Sequence, residues 1–154
     1  MTIQELDLRL LNEHKIDIMR LIRQVMNRSF PISKIPHDYE QKTLQELHAG
    51  LSNDKIAVFL AISNNKLVGL IWVCIIKKLL EERLHVVQLV IDDDFQNLGV
   101  GTKLMAKAED YALSKNVGVI ELFVTEDNTS AVNFYEKHDF NVERKLLRKE
   151  ILKK

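Results

Sequence analysis

Seven consecutive residues, Gln96-Asn97-Leu98-Gly99-Val100-Gly101-Thr102, place two glycines where an apolar, strand-like run gives way to a helix-like one. The start of a helix carries four backbone N–H groups without intrahelical partners and the positive end of the helix dipole, which together attract an anion. Without Cβ atoms, Gly99 and Gly101 let the backbone approach a phosphate closely and adopt conformations that other residues resist. Taken alone, Gly-x-Gly is explained equally well as a glycine-eased helix start. Two better-known phosphate motifs fail on the letters. A dinucleotide fingerprint needs its third glycine where this chain has Leu104, and a Walker A loop needs Gly-Lys-Ser/Thr where it has Gly101-Thr102-Lys103.

Further along, Tyr135 offers a phenol that stays protonated at neutral pH and can donate a proton. Its neighbours Ala131 and Phe134 fit an ordinary packed helix face equally well. His85 lies in a strand-like run, and an imidazole of reference pKa ~6.5 suits proton acceptance near neutrality, although a lone strand histidine is more often structural. Asn128 stands where its side chain can cap a helix. Cys74, the one cysteine, falls within the apolar run 67–76; it excludes an intramolecular disulfide and reads as a buried structural thiol. No metal site is expected.

These residues need elements to position them. Leu6, Leu8 and Leu10 alternate with Asp7 and Arg9, predicting a first strand. Apolar positions from Ile16 to Met26 recur at helical spacing, Pro31 and Pro36 bracket a loop, and residues 39–51 form a weaker amphipathic helix. Runs 56–62 and 67–76 read as two strands joined through Asn64 and Asn65, which tolerate the positive φ of a tight hairpin. Residues 85–91 read as a strand, 102–115 as a helix, 117–124 as a strand, 129–138 as a helix, and 140–152 as a short final β region. The central strand-helix-strand unit implies a parallel pair within a mixed sheet.

At 154 residues, the chain has the length of one domain spanning 1–154, able to bury about 68–70% of its unfolded surface. Hydrophobic residues at 46% and charged residues at 29% exclude disorder and fibrous repeats. Lys plus Arg and Asp plus Glu are both 22, so the bulk attraction that drives non-specific nucleic-acid binding is absent. No apolar stretch approaches ~18 residues and the first residues lack a signal-peptide core, so neither membrane spanning nor secretion is expected, and a cytoplasmic location follows as an expectation.

Two segments carry a family resemblance. Gln96-x-x-Gly99-x-Gly101 resembles the Q/R-x-x-G-x-G/A signature of the GNAT superfamily of N-acetyltransferases, and Asn128-Thr129-Ser130-Ala131-Val132-Asn133-Phe134-Tyr135-Glu136-Lys137-His138-Asp139-Phe140 is similar to its N-x-x-A-x-x-F-Y-x-x-x-G-F stretch. Asp139 stands where the family has glycine, Asn97-Leu98 replace small and basic residues, and Asp92, Asp93 and Asp94 precede the turn. Positive charge near the amide cradle is thereby reduced to Lys103 and Lys137.

The resemblance implies an α/β fold: a mixed, mostly antiparallel sheet flanked by helices, with two central parallel strands, 85–91 and 117–124, splayed to admit the pantetheine arm of acetyl-CoA. It implies coenzyme contacts from Leu89, Val90, Ile91, Gln96, Asn97, Leu98, Gly99, Val100, Gly101, Thr102, Asn128 and Tyr135. In that scheme the Leu89 N–H faces the thioester carbonyl, Tyr135 is the general acid, and His85 or a water is the general base, with Glu121 and Glu82 as rivals. A base matters most for a lysine-like amine, neutral only about once in 2,500 molecules at pH 7, a cost of roughly 4.6 kcal/mol. An α-amine near pKa ~7.8 costs only about 1 kcal/mol. The acceptor is expected to be a small-molecule or peptide amine, shaped by residues 29–51 and 141–152, and the sequence allows a homodimer. A non-catalytic acyl-CoA sensor is the alternative from another class.

Overall fold

The structure, a computed structural model, describes residues 1–152. Met1–Leu122 forms one compact unit and Phe123–Lys154 a second. The first unit holds a five-stranded sheet in the order β1-β2-β3-β4-β5, made of β1 (Thr2–Glu5), β2 (Ile56–Ser63), β3 (Lys66–Lys77), β4 (Glu82–Ile91) and β5 (Ile120–Glu121). Its helices are α1 (Leu8–Glu13), α2 (Lys15–Ser29), α3 (Tyr39–Gly50) and α4 (Val100–Ser114). Strands β1 to β4 are antiparallel to their neighbours, and only β4 and β5 run parallel.

The β2–β3 hairpin forms as its asparagines predict, with Asn64 at φ 50° and Asn65 at φ 62°. The two strands are apolar almost throughout because both faces of the sheet are covered. Leu60, Leu67 and Leu70 join Leu10, Ile18, Leu21, Ile22, Leu44 and Leu47 from α1, α2 and α3 in one buried cluster. Against the sheet α4 turns Leu104, Met105 and Ala108, all wholly buried, and Tyr111 meets Phe59 edge-on at 6.1 Å between centroids.

Three expectations change. Leu6, Leu8 and Leu10 do not share a strand: β1 ends at Glu5, and Asp7 caps α1 by accepting the Leu10 N–H at 2.7 Å. A capped helix buries Leu10 and Leu11 together, which outweighs a short alternation. Strand 117–124 contracts to Ile120–Glu121. No strand forms at 140–152, where Val142, Leu146, Leu147, Ile151 and Leu152 follow neither a period of two nor a helical one and are all exposed.

The second unit contains α5 (Thr129–Lys137), capped by Asn128, whose Oδ1 accepts the Ala131 N–H at 3.2 Å. Asp139 ends it in the left-handed region at φ 63°, with the Phe140 N–H on the Tyr135 carbonyl and the Asp139 N–H on that of Glu136. Those two bonds make the helix-terminating motif in which glycine is the usual left-handed residue. Asp139 therefore fills the role of the family's glycine by taking the same backbone shape, which a short polar side chain tolerates.

Candidate active site

The turn leading into α4 is built from a 3₁₀ turn at Asp93–Phe95, started by the Asp92 carboxylate accepting the Asp94 N–H at 3.1 Å. Asn97 at φ 60° and Gly99 at φ 76° then swing the chain into the helix. Gly99, the N-cap of α4, brings no side-chain cap, and a Cβ added to it would meet nothing within 4 Å. Val100, 2% exposed, and Gly69 anchor the turn from below: a Cβ on Gly69 would lie 3.2 Å from Val100 Cγ1 and 3.0 Å from the Val90 carbonyl. The junction is thus fixed on its core side and open at its amide end, the condition an anion cradle requires.

Beside it lies the edge of β4. Its ladder with β5 pairs only Leu84 with Ile120 and His85 with Glu121. The ladder with β3 slips between Trp72 and Val73, so that Val87 is the extra residue of a bulge. Backbone polarity shows what the bulge does. The Leu84 N–H points to β5, bonding the Val119 carbonyl at 2.9 Å, and simple alternation would turn every odd-numbered residue toward β3. Yet the Asp92 N–H bonds the Val68 carbonyl of β3 at 2.8 Å, which makes Leu70–Val90 the next hydrogen-bonded pair and turns Leu89 and Ile91 away from β3. The bulge has inverted the phase, and the Leu89 N–H stands on the β4 edge past the end of the β5 ladder. Val90, by contrast, pairs with β3 and buries its side chain in the core.

On β4 before the bulge, the His85 Nδ1 lies 3.3 Å from Glu121 Oε1. Glu121 also meets Lys78 Nζ at 3.3 Å and Arg83 Nη1 at 3.1 Å. Burial works to raise its pKa, but the donors Lys78, Arg83 and His85 outweigh it and hold the carboxyl below its ordinary value. A carboxylate so fully engaged is a poor base itself and a good orienter of the imidazole. Cys74, the β3 partner of His85, is half-buried rather than buried, and burial, then the Glu121 charge, raises its thiol pKa.

Of the remaining expected contacts, Asn97, Leu98, Gly99 and Thr102 are exposed at the junction and Gly101 is half-buried. Gln96 sends its amide to Asp93 Oδ1 at 3.2 Å, so in this structure it braces the turn. In the second unit, Asn128 serves as the cap of α5, and the Tyr135 ring packs edge-on against Phe134 and Phe140 at 5.3 and 5.5 Å. Burial raises the Tyr135 pKa above the usual tyrosine value, keeping the phenol protonated.

Sequence reasoning missed the partners of the acidic turn. Arg20 Nη1 and Lys66 Nζ meet Asp92 at 2.8 and 3.2 Å, Gln24 Nε2 bonds the Ile91 carbonyl at 2.8 Å, and Arg28 pairs with Asp93. The four-residue spacing of Arg20, Gln24 and Arg28 is legible, but nothing in it names the strand end they reach.

The model of the Acetyltransferase (GNAT) family matches residues 19–140, a span that contains the junction, the bulged strand and α5. The chain belongs to the GNAT acetyltransferase family. An uncharacterised N-acetyltransferase of Archaeoglobus fulgidus is 35% identical over 94 residues, covering 58% of this chain and 63% of that protein. The chain spans 41% to 63% of the length of the first curated relatives it matches. An aminoglycoside acetyltransferase, meta-AAC0020 from an uncultured soil metagenomic sample, superposes with a TM-score of 0.74 at 21% identity, over 99% of this chain and 96% of that one. AAC(6')-Iy in complex with the bisubstrate analogue CoA-S-monomethyl-acetylneamine superposes with a TM-score of 0.75 at 15% identity, over 97% and 96%. Both share the fold. Among the described residues no group of His, Cys, Asp and Glu could hold a metal ion, and no helix is long and apolar enough to cross a membrane.

Proposed function

We propose that this GNAT protein moves an acetyl group from acetyl-CoA to a primary amine by direct attack of the amine on the thioester. The observation that carries the reading is the pairing of an α4 start at which Gly99 brings no side-chain cap with a β4 edge on which the bulge exposes the Leu89 N–H. The first suits a diphosphate and the second a thioester oxygen that gains charge during attack. Acetyl-CoA supplies the activated acyl group; the chain supplies placement and proton handling.

His85 is the base in this reading, directly or through a water. In the tautomer that puts the Nδ1 proton toward Glu121, Nε2 is the nitrogen that can accept a proton. Tyr135 is the acid in this reading: burial keeps its phenol protonated, and it stands at the tyrosine of the sequence stretch that resembles the family's. The acceptor is a small amine or a peptide amine; the aminoglycoside acetyltransferase meta-AAC0020, which shares the fold, supports the former.

The test is thiol release from acetyl-CoA against a panel of amines, with Tyr135→Phe as the variant. Turnover should fall about 100-fold while CoA affinity by calorimetry changes little. Any alkaline loss of turnover due to Tyr135 ionising should lie above the ordinary tyrosine pKa. CoA binding without amine-dependent thiol release would make the chain a sensor, and no binding at all would remove the coenzyme reading.

A further inference from the structure

The turn before α4 poses an electrostatic problem. Asp92, Asp93 and Asp94 stand between β4 and the helix start, where they oppose any diphosphate held there. The solution comes from α2. Arg20, Gln24 and Arg28, four residues apart, lie along one stripe of that helix, and each ends at the same place. Arg20 pairs with Asp92 and also bonds the Leu67 carbonyl at 3.2 Å, Gln24 holds the Ile91 carbonyl, and Arg28 pairs with Asp93.

The two ion pairs are not equivalent. The Asp92 side chain is 5% exposed and shared by Arg20, Lys66 and the Asp94 N–H, so its charge is neutralised within the fold. Burial opposes that charge, but these donors outweigh it and hold the Asp92 pKa below its usual value. Asp93 is 57% exposed, with Arg28 as its cation and the Gln96 amide as its second donor.

We propose that Arg28 is a positioning residue for the coenzyme's diphosphate: it neutralises Asp93 and thereby makes an acidic turn compatible with an anion. The inference rests on the coenzyme reading above and adds a determinant from α2 that lies outside both sequence motifs. Arg28 acts through Asp93, so a second substitution at Asp93 should undo the loss of the first.

The experiment is calorimetry with CoA at low salt on wild type, Arg28→Ala, Arg28→Lys and the double variant Arg28→Ala/Asp93→Asn, with the melting midpoint of each recorded without ligand. Arg28→Ala should weaken CoA by about tenfold, and the deficit should shrink as salt rises, because the pair is solvent-exposed. Arg28→Lys should bind within about threefold of wild type, and the double variant should recover to a similar level. S-acetylpantetheine, which carries no diphosphate, should be used equally by wild type and Arg28→Ala. Unchanged CoA affinity in Arg28→Ala, no recovery in the double variant, or an equal loss with S-acetylpantetheine would each overturn the proposal. A wild type that binds CoA tightly alongside any of these overturns the role of Arg28 alone, whereas a wild type that binds none overturns the coenzyme reading as well.

Discussion

The two sides of β4 differ in kind. Toward β3 the ladder runs from Glu82 to Ile91 with one slip, backed by side chains such as Ile71 and Val73 with no exposed surface. Toward β5 it registers two residue pairs, and beyond them the Leu89 N–H and the Ile91 backbone face no strand of the sheet. One side spends its backbone groups on structure; on the other, Gln24 takes the Ile91 carbonyl and the Leu89 N–H is left for the thioester in the reading proposed above. The bulge at Val87 separates the two regimes by reversing which residues point outward.

Substitutions that touch only one side sharpen this contrast. Leu60→Ala, in the β2 core with no exposed surface, should cost about 2–5 kcal/mol of stability by removing buried methyl groups and leaving a cavity, read by denaturant unfolding. Equal losses in CoA affinity at a saturating folded fraction would argue against the separation. Gly69→Ala should cost less, about 1–3 kcal/mol, because its Cβ would press on the Val90 carbonyl and on Ile91 and Val100 at the boundary of the two regimes. It should also weaken CoA by shifting the start of α4. The smallest stability effect is expected at Gly99→Ala, about 1 kcal/mol for a non-glycine residue at φ 76° with open space around its Cβ. CoA affinity should fall by more than that, measured by the same titration. A stability loss at Gly99 as large as at Leu60 would break the comparison.

The glycine-bearing junction into α4 was legible in the sequence because it depends on local chemistry: a strand end, two glycines and a helix start occupy consecutive positions. The hairpin at Asn64-Asn65 and the Asn128 cap were legible for the same reason. Errors occurred where local signals compete. Alternation in Leu6–Leu8–Leu10 lost to a cap formed by Asp7, and the apolar residues of 140–152 carried no period that could select a strand. Asp139 looked like a departure from the family and proved to be a different residue in the same left-handed backbone state.

What the sequence determined by itself is the order of elements from α2 to α5, the glycine-bearing start of α4 and the family, since each is written in neighbouring residues or in two fixed motifs. Tertiary structure alone decided the phase reversal of β4, the Glu121 carboxylate beside His85 and the α2 counter-charges on the acidic turn. All three join residues that are not sequence neighbours, from 13 positions apart at Val73 and Val86 to 72 at Arg20 and Asp92, and their energies exist only once the sheet and α2 have packed, because hydrogen bonds and ion pairs depend on distances that no local spacing fixes.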